Sequence, residues 1–141
     1  MNKIMKAEEL YDIPDFTGYK ASKEGKIYSV IPKGCRNRFD RSKWEEPKEL
    51  KPRFTKNGYA RVYMRRDSTN KREDVYIHRI IAELFIPNPY KLSDVNHLDN
   101  NPSNNNINNL EWLSHKDNLE YGLLYGNRDI NELGQFCSKK K

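Results

Sequence analysis

The chain is 141 residues long, 35% hydrophobic and 33% charged, with a net charge of +6. A chain this short and polar suits one domain or two very small ones with a modest core. No stretch approaches the roughly 20 apolar residues that span a bilayer, and Met1–Glu9 lacks a signal-peptide apolar centre, so a soluble, cytoplasmic protein with no membrane role is expected.

Residues 10–31 are punctuated by Gly18 and Gly25 into two short extended pieces. The second, Lys26 to Ile31, carries the β-branched and aromatic residues of a strand. Residues 32–50 hold Pro32, Gly34, Pro47 and many charges, which predicts a long mobile loop, ordered only on a partner. Cys35 and Cys137 lie too far apart in sequence for paired metal knuckles, so no structural zinc is expected. A disulfide between them is disfavoured in a reducing compartment.

Asn57-Gly58 is a hairpin turn signal. After it, Ala60, Val62 and Met64 alternate with Tyr59, Arg61, Tyr63 and Arg65, the pattern of a half-buried strand with a Tyr/Arg outer face. Asp67–Lys71 reads as a turn and Glu73–Ile77 as a further strand. From Ile77 the period changes: Ile77, Ile80, Ile81, Leu84 and Phe85 fall at helical spacing, predicting a short helix over His78–Phe85 that Pro87 and Pro89 end.

Charge divides the chain. Residues 20–79 hold 18 Lys/Arg against 8 Asp/Glu, whereas residues 80–138 hold 3 against 8. A basic half with interleaved aromatics attracts a polyanion through phosphate contacts and counterion release. Candidate contacts are Arg61, Arg65 and Arg66 on the hairpin, His78 and Arg79 at the helix start, and Lys116 further on. A solvated charged surface competes with this reading for each cation, as does a structural role for His78.

Residues 93–118 carry the chemistry. Eight of the fourteen residues 96–109 are Asn, which alone suggests low complexity. Val95 and Leu98 around His97, and Leu110, Trp112 and Leu113 after the tract, argue instead for packed strands. Asn and Asp build the turns between them. Ser114-His115-Lys116-Asp117 has the Ser-x-x-Asp form of a helix start. Leu119, Leu123 and Leu124 continue its apolar side, and Gly126 is a C-terminal stop. The order is strand, polar loop, strand, helix. Asn96-His97 ends the first strand and Asn118 lies in the first helical turn. A neutral imidazole can take a proton from water near pH 7, and two amide oxygens can help hold a hard cation.

These residues resemble the HNH nuclease family in its homing-endonuclease branch. The resemblance runs from about residue 75 to 122. It is carried by Tyr76-Ile77-His78-Arg79-Ile80-Ile81-Ala82, Phe85-Ile86-Pro87-Asn88-Pro89, Val95-Asn96-His97-Leu98-Asp99, Asn104-Asn105 and Asn108-Asn109-Leu110-Glu111-Trp112. Residues Asp15–Val30 resemble the small nuclease-associated module that often precedes it. The resemblance implies His97 as the general base, Asn118 and Asn96 as metal ligands, and Asn109 as the residue that braces the loop and helps orient the base. Some relatives carry Asp where this chain has Asn96; an amide holds a divalent ion less strongly, so weaker metal affinity is expected. The implied cofactor is one magnesium or manganese ion. The implied reaction is hydrolysis of duplex DNA, leaving 5′-phosphate and 3′-hydroxyl ends.

The expected architecture is α+β: a small β-rich basic module over residues 1–74, a ββα-metal nuclease unit over 75–126, and a C-terminal tail over 127–141. Sequence preference would then come from residues 1–75, from a second copy in a homodimer, or from a partner. A phage or mobile-element gene is typical of such relatives. The main rival is a non-cleaving nucleic-acid-binding protein descended from a nuclease; an RNA-binding or ribonuclease module fits the charge but matches the motif less well.

Overall fold

Glycine positions the first turns. In the computed structural model, which describes residues 9–125, 128–130 and 136–138, Gly18 and Gly25 have φ of +88° and +92°, values that L side chains rarely adopt. They flank the short strands β1 (Tyr11–Asp12), β2 (Tyr19–Ala21) and β3 (Ile27–Ser29). With β4 (Lys48–Glu49) these make a four-stranded antiparallel sheet in chain order.

The segment 32–50 is more ordered than its composition predicts. Asp40 Oδ1 accepts the Ser42 N–H at 3.1 Å and caps a 3-10 turn over Arg41–Lys43. Trp44 donates its indole N–H to the Arg38 carbonyl at 2.9 Å, and β4 then pairs Lys48 with Ser29. One local cap and one ring donor supply the partners that a bare loop lacks.

The Asn57-Gly58 turn joins β5 (Arg53–Phe54) to β6 (Ala60–Arg66), with Gly58 at φ +86°. Strand β7 (Lys71–Tyr76) completes this three-stranded sheet. Ala60, Val62 and Met64 are buried, and Tyr63 on the alternate face is 51% exposed, as period two requires. Helix α1 (Ile77–Phe85) starts one residue earlier than the spacing predicts, so Ile77 belongs to the helix and not to the strand before it.

The ββα order holds. Strand β8 (Asp94–His97) pairs antiparallel with β9 (Leu110–Leu113), and helix α2 (His115–Tyr125) follows. Ser114 Oγ accepts the Asp117 N–H at 3.1 Å, the cap that the sequence signature predicts. Gly126 lies outside the described residues. Where the sequence predicts only a tail, β10 (Arg128–Ile130) pairs with β11 (Phe136–Ser138).

The architecture is α+β. One continuous apolar core joins its parts: Phe16 from the segment between β1 and β2, Ile27 from β3, Met64 from β6, Ile81 from α1, and Val95 and Leu110 from β8 and β9. Residue 75 therefore falls inside shared packing. Ile81 is fully buried, and truncating such a side chain to Ala costs about 2–5 kcal/mol. Among the described residues no helix is long and apolar enough to cross a membrane.

Candidate active site

Strand β8 sorts its residues by alternation. Val95 and His97 share one face, with Val95 in the core; Asp94 and Asn96 share the other. Across the ladder, Asn96 stands opposite Glu111 and His97 opposite Leu110.

The face of Asp94 and Asn96 meets helix α2. Asn118 donates its amide N–H to Asp94 Oδ2 at 3.0 Å. His115 Nδ1 lies 3.0 Å from the same oxygen, and Ser93 Oγ donates to Asp94 Oδ1 at 2.8 Å. Burial works to raise the Asp94 carboxyl, but the hydrogen bonds from His115, Asn118 and Ser93 outweigh it and hold the group below its ordinary value. Asn96 is 8% exposed and donates its amide N–H to Glu111 Oε1 at 3.1 Å. Each amide nitrogen is thus committed to a carboxylate, which fixes the amide's orientation and turns its oxygen the other way. Hard divalent cations prefer such oxygen donors, so the donor set fits the implied ion. Among the described residues no group of three or more His, Cys, Asp or Glu is placed to hold a metal; the donors here are amides.

His97 sits on the other face, 6% exposed. Its Nε2 lies 2.9 Å from Asn105 Oδ1. Its ring packs edge-on against His78 at 5.1 Å and tilted against Tyr59 at 5.9 Å. Burial, then the nearby His97 and Arg79, pull the His78 imidazole down to about 3. Its Nδ1 is buried without a hydrogen-bond partner among the described residues. His78 thus packs beside the His97 ring and is 9% exposed.

The loop between β8 and β9 is an ordered structure built by its amides. Asn109 donates to Asp99 Oδ1 at 2.8 Å and to the Asn104 carbonyl at 2.9 Å, while its own oxygen accepts the Asp99 N–H at 3.0 Å. Asn109 thus braces the loop, and Asn105 is the one that touches the His97 ring. The Asn104 bond, with the Asn101 N–H and the Asn109 amide, holds the Asp99 carboxyl low against its desolvation. The first sheet buttresses the same loop. Ile107 donates its N–H to the Lys23 carbonyl at 2.9 Å, and a Cβ on Gly25 would lie 2.5 Å from the Asn105 carbonyl oxygen.

The cations singled out by sequence fare differently. Arg66 donates to Glu73 Oε1 at 2.8 and 2.5 Å and to Asp15 at 3.3 Å, and stacks over Phe16. It ties the hairpin to the first sheet. Arg79 donates to the Ser93 carbonyl at 2.7 Å and lies 3.5 Å from Glu83, bracing the entry to β8. Arg65 donates to the Asn70 carbonyl at 2.8 Å, and Arg61 stands 3.8 Å from Asp74. Lys116, near the start of α2, is exposed.

Sequence reasoning missed Asn105 and Glu111 as site residues. Alternation along β8 points to Asp94, two residues before Asn96. Glu111 becomes visible only once the register of β8 and β9 is known. Nothing in the Asn-rich tract distinguishes Asn105 from its neighbours.

Comparison with known proteins converges on this region. Residues 75–120 match the family model described as HNH endonuclease, a span that contains Asn96, His97, Asn109 and Asn118. An uncharacterized HNH endonuclease of Acanthamoeba polyphaga mimivirus is 44% identical over 72 residues, covering 51% of this chain and 21% of that protein. The DNA endonuclease I-HmuI of Bacillus phage SP01 is 28% identical over 133 residues, covering 94% of this chain and 67% of that protein. A solved structure of the HNH homing endonuclease I-HmuI, described for DNA binding and cleavage, superposes with a TM-score of 0.64 at 27% identity, covering 86% of this chain and 62% of that one. The chain thus spans about a fifth of the mimivirus relative and about two thirds of the phage enzyme. Residues 75–120, which hold both faces of the β8 site, thus match the HNH endonuclease model, and the fold around them is similar to that of I-HmuI.

Proposed function

We propose that the chain is a divalent-metal-dependent endonuclease that hydrolyses phosphodiester bonds in duplex DNA. The observation that carries this reading is the junction at Asp94. It ties Asn118 of α2 to β8 at 3.0 Å, next to Asn96 and one strand end from His97.

Asn96 and Asn118 would hold one magnesium or manganese ion through their amide oxygens, and the ion supplies charge stabilisation to phosphate oxygens and leaving group. His97 acts as the general base. A neutral imidazole carries one N–H; with Nε2–H donated to Asn105, the basic lone pair lies on Nδ1. That atom takes the proton of the attacking water. Water oxygen bonds to phosphorus, the bond to the 3′ oxygen breaks, and that oxygen takes a proton from solvent water to leave as the 3′-hydroxyl beside a 5′-phosphate. Lys116, Arg61 and Arg65 contact phosphates along the duplex; Tyr63, exposed beside Arg61 and Arg65 on β6, lies against sugar or base.

The neutral Asn96 and the burial of His97 favour a second reading, a DNA-binding descendant that no longer cuts. Plasmid nicking with and without magnesium, with His97→Ala as control, separates the two. Metal-dependent nicking lost in His97→Ala supports the nuclease. Binding without nicking, on DNA that contains its target, supports the descendant.

A further inference from the structure

The two amides of the proposed cation site bring no negative charge. An ion bound only by neutral oxygens retains its full charge in a half-buried place, which is costly without nearby anions. Two carboxylates lie one bond further out. Glu111 Oε1 holds the Asn96 amide nitrogen at 3.1 Å, and Asp94 Oδ2 holds that of Asn118 at 3.0 Å. Asp94 is kept in place by Ser93 and His115 as well. Asp99, the other acid near His97, is spent on the loop through Asn101, Asn104 and Asn109.

We propose that Asp94 and Glu111 are positioning residues of the divalent-cation site, orienting the Asn118 and Asn96 amides oxygen-outward and supplying the negative charge those ligands lack. This rests on the proposed ligand roles of Asn96 and Asn118. Outer partners of this kind change metal affinity by about 10–100-fold when removed. Because Glu111 acts through an amide N–H, its effect depends on which residue occupies position 96. If Asn96 is exchanged for Asp, the ligand carries its own charge and offers Glu111 no donor. Two carboxylates then face each other across the ladder, and like charges directly opposite repel.

The test is manganese binding to the full chain without DNA, read from the loss of the free aqueous Mn2+ signal in electron paramagnetic resonance. Circular dichroism melting verifies that each variant folds, and only folded variants enter the comparison. Asn118→Ala should weaken binding strongly; unchanged affinity there would overturn the two-amide site itself, and this proposal with it. Given that weakening, Asp94→Asn and Glu111→Gln should each raise the dissociation constant about tenfold. Values within about twofold of the parent would overturn the positioning role and leave the ligand roles standing. In an Asn96→Asp background, Glu111→Gln should leave affinity unchanged or tighten it. A loss as large as in the parent would show that Glu111 does not act through the Asn96 amide and would overturn its assignment.

Discussion

His97 Nε2 sits 2.9 Å from Asn105 Oδ1, with both side chains buried, at 6% and 5% exposure. The bond selects the ring tautomer and its tilt. General-base assistance contributes about 10²–10⁴-fold, so His97→Ala should lose cleavage by that order. A buried hydrogen bond left unmade costs about 1–3 kcal/mol, so Asn105→Ala should slow cleavage by roughly 10–100-fold. Asn109→Ala should act instead through the loop, lowering the melting temperature along with activity. Single-turnover cleavage beside thermal melts distinguishes the two. Equal loss of stability in both variants would remove the special place given to Asn105.

Gly25 couples the first sheet to that same bond. Its φ of +92° opposes a side chain there, and so does the 2.5 Å that would separate an added Cβ from the Asn105 carbonyl oxygen. Backbone cannot yield as a flexible side chain would. Gly25→Ala should therefore destabilise the chain and reduce cleavage, although it stands 72 positions from His97 in sequence. Gly34→Ala is the comparison, since nothing lies within 4 Å of its Cβ position; only its positive φ is at stake, and cleavage should be retained. Matching losses of activity in both variants would deny the coupling.

Particular residues show what could be read in advance. Ala60, Val62 and Met64 were legible because a strand's period is two, and Ile77, Ile80 and Ile81 because a helix's is near four. Asn96, His97, Asn109 and Asn118 were singled out by resemblance, and the structure adds which groups surround each of them. Asn105 was not, because eight Asn in fourteen positions offer the same chemistry, and only the folded loop selects one. The partners of Arg66 were hidden for a related reason. A positive charge on a strand looks like a phosphate contact until Glu73 and Asp15 are seen around it, and Asp15 is 51 residues away.

The buried His78 makes stability depend on pH. Its folded value of about 3 lies below the ordinary histidine value of 6.5. The unfolded chain therefore binds the proton more readily, and acid favours unfolding. The contribution is fully present above about pH 6.5 and is lost as pH falls toward 3, at up to about 1.4 kcal/mol per pH unit. Asp94 and Asp99, with values held below 3.8, add their own loss only below that pH. Between about pH 6.5 and 4 those two carboxylates therefore do not mask the slope that His78 contributes. Urea melts should show a shallower slope in that window for His78→Phe than for the parent. Parallel slopes would mean that His78 takes up its proton in the folded chain.

The basic residues should separate by what already holds them. Arg66 is engaged by Glu73, Asp15 and the Phe16 ring, so Arg66→Ala should lower the melting temperature by a few degrees and leave the salt dependence of duplex binding unchanged. Lys116 is exposed at the start of the helix that carries Asn118, and Arg65 lies beside Tyr63 on β6. Each phosphate contact contributes about 0.9 to the slope of log affinity against log salt. Lys116→Ala and Arg65→Ala should each reduce that slope by about this amount, with melting little changed for Lys116→Ala. Fluorescence anisotropy of a labelled duplex across a salt series measures it. A slope reduced by Arg66→Ala and untouched by Lys116→Ala would reverse the assignment, placing the duplex over the Glu73 and Asp15 side of the hairpin and away from α2.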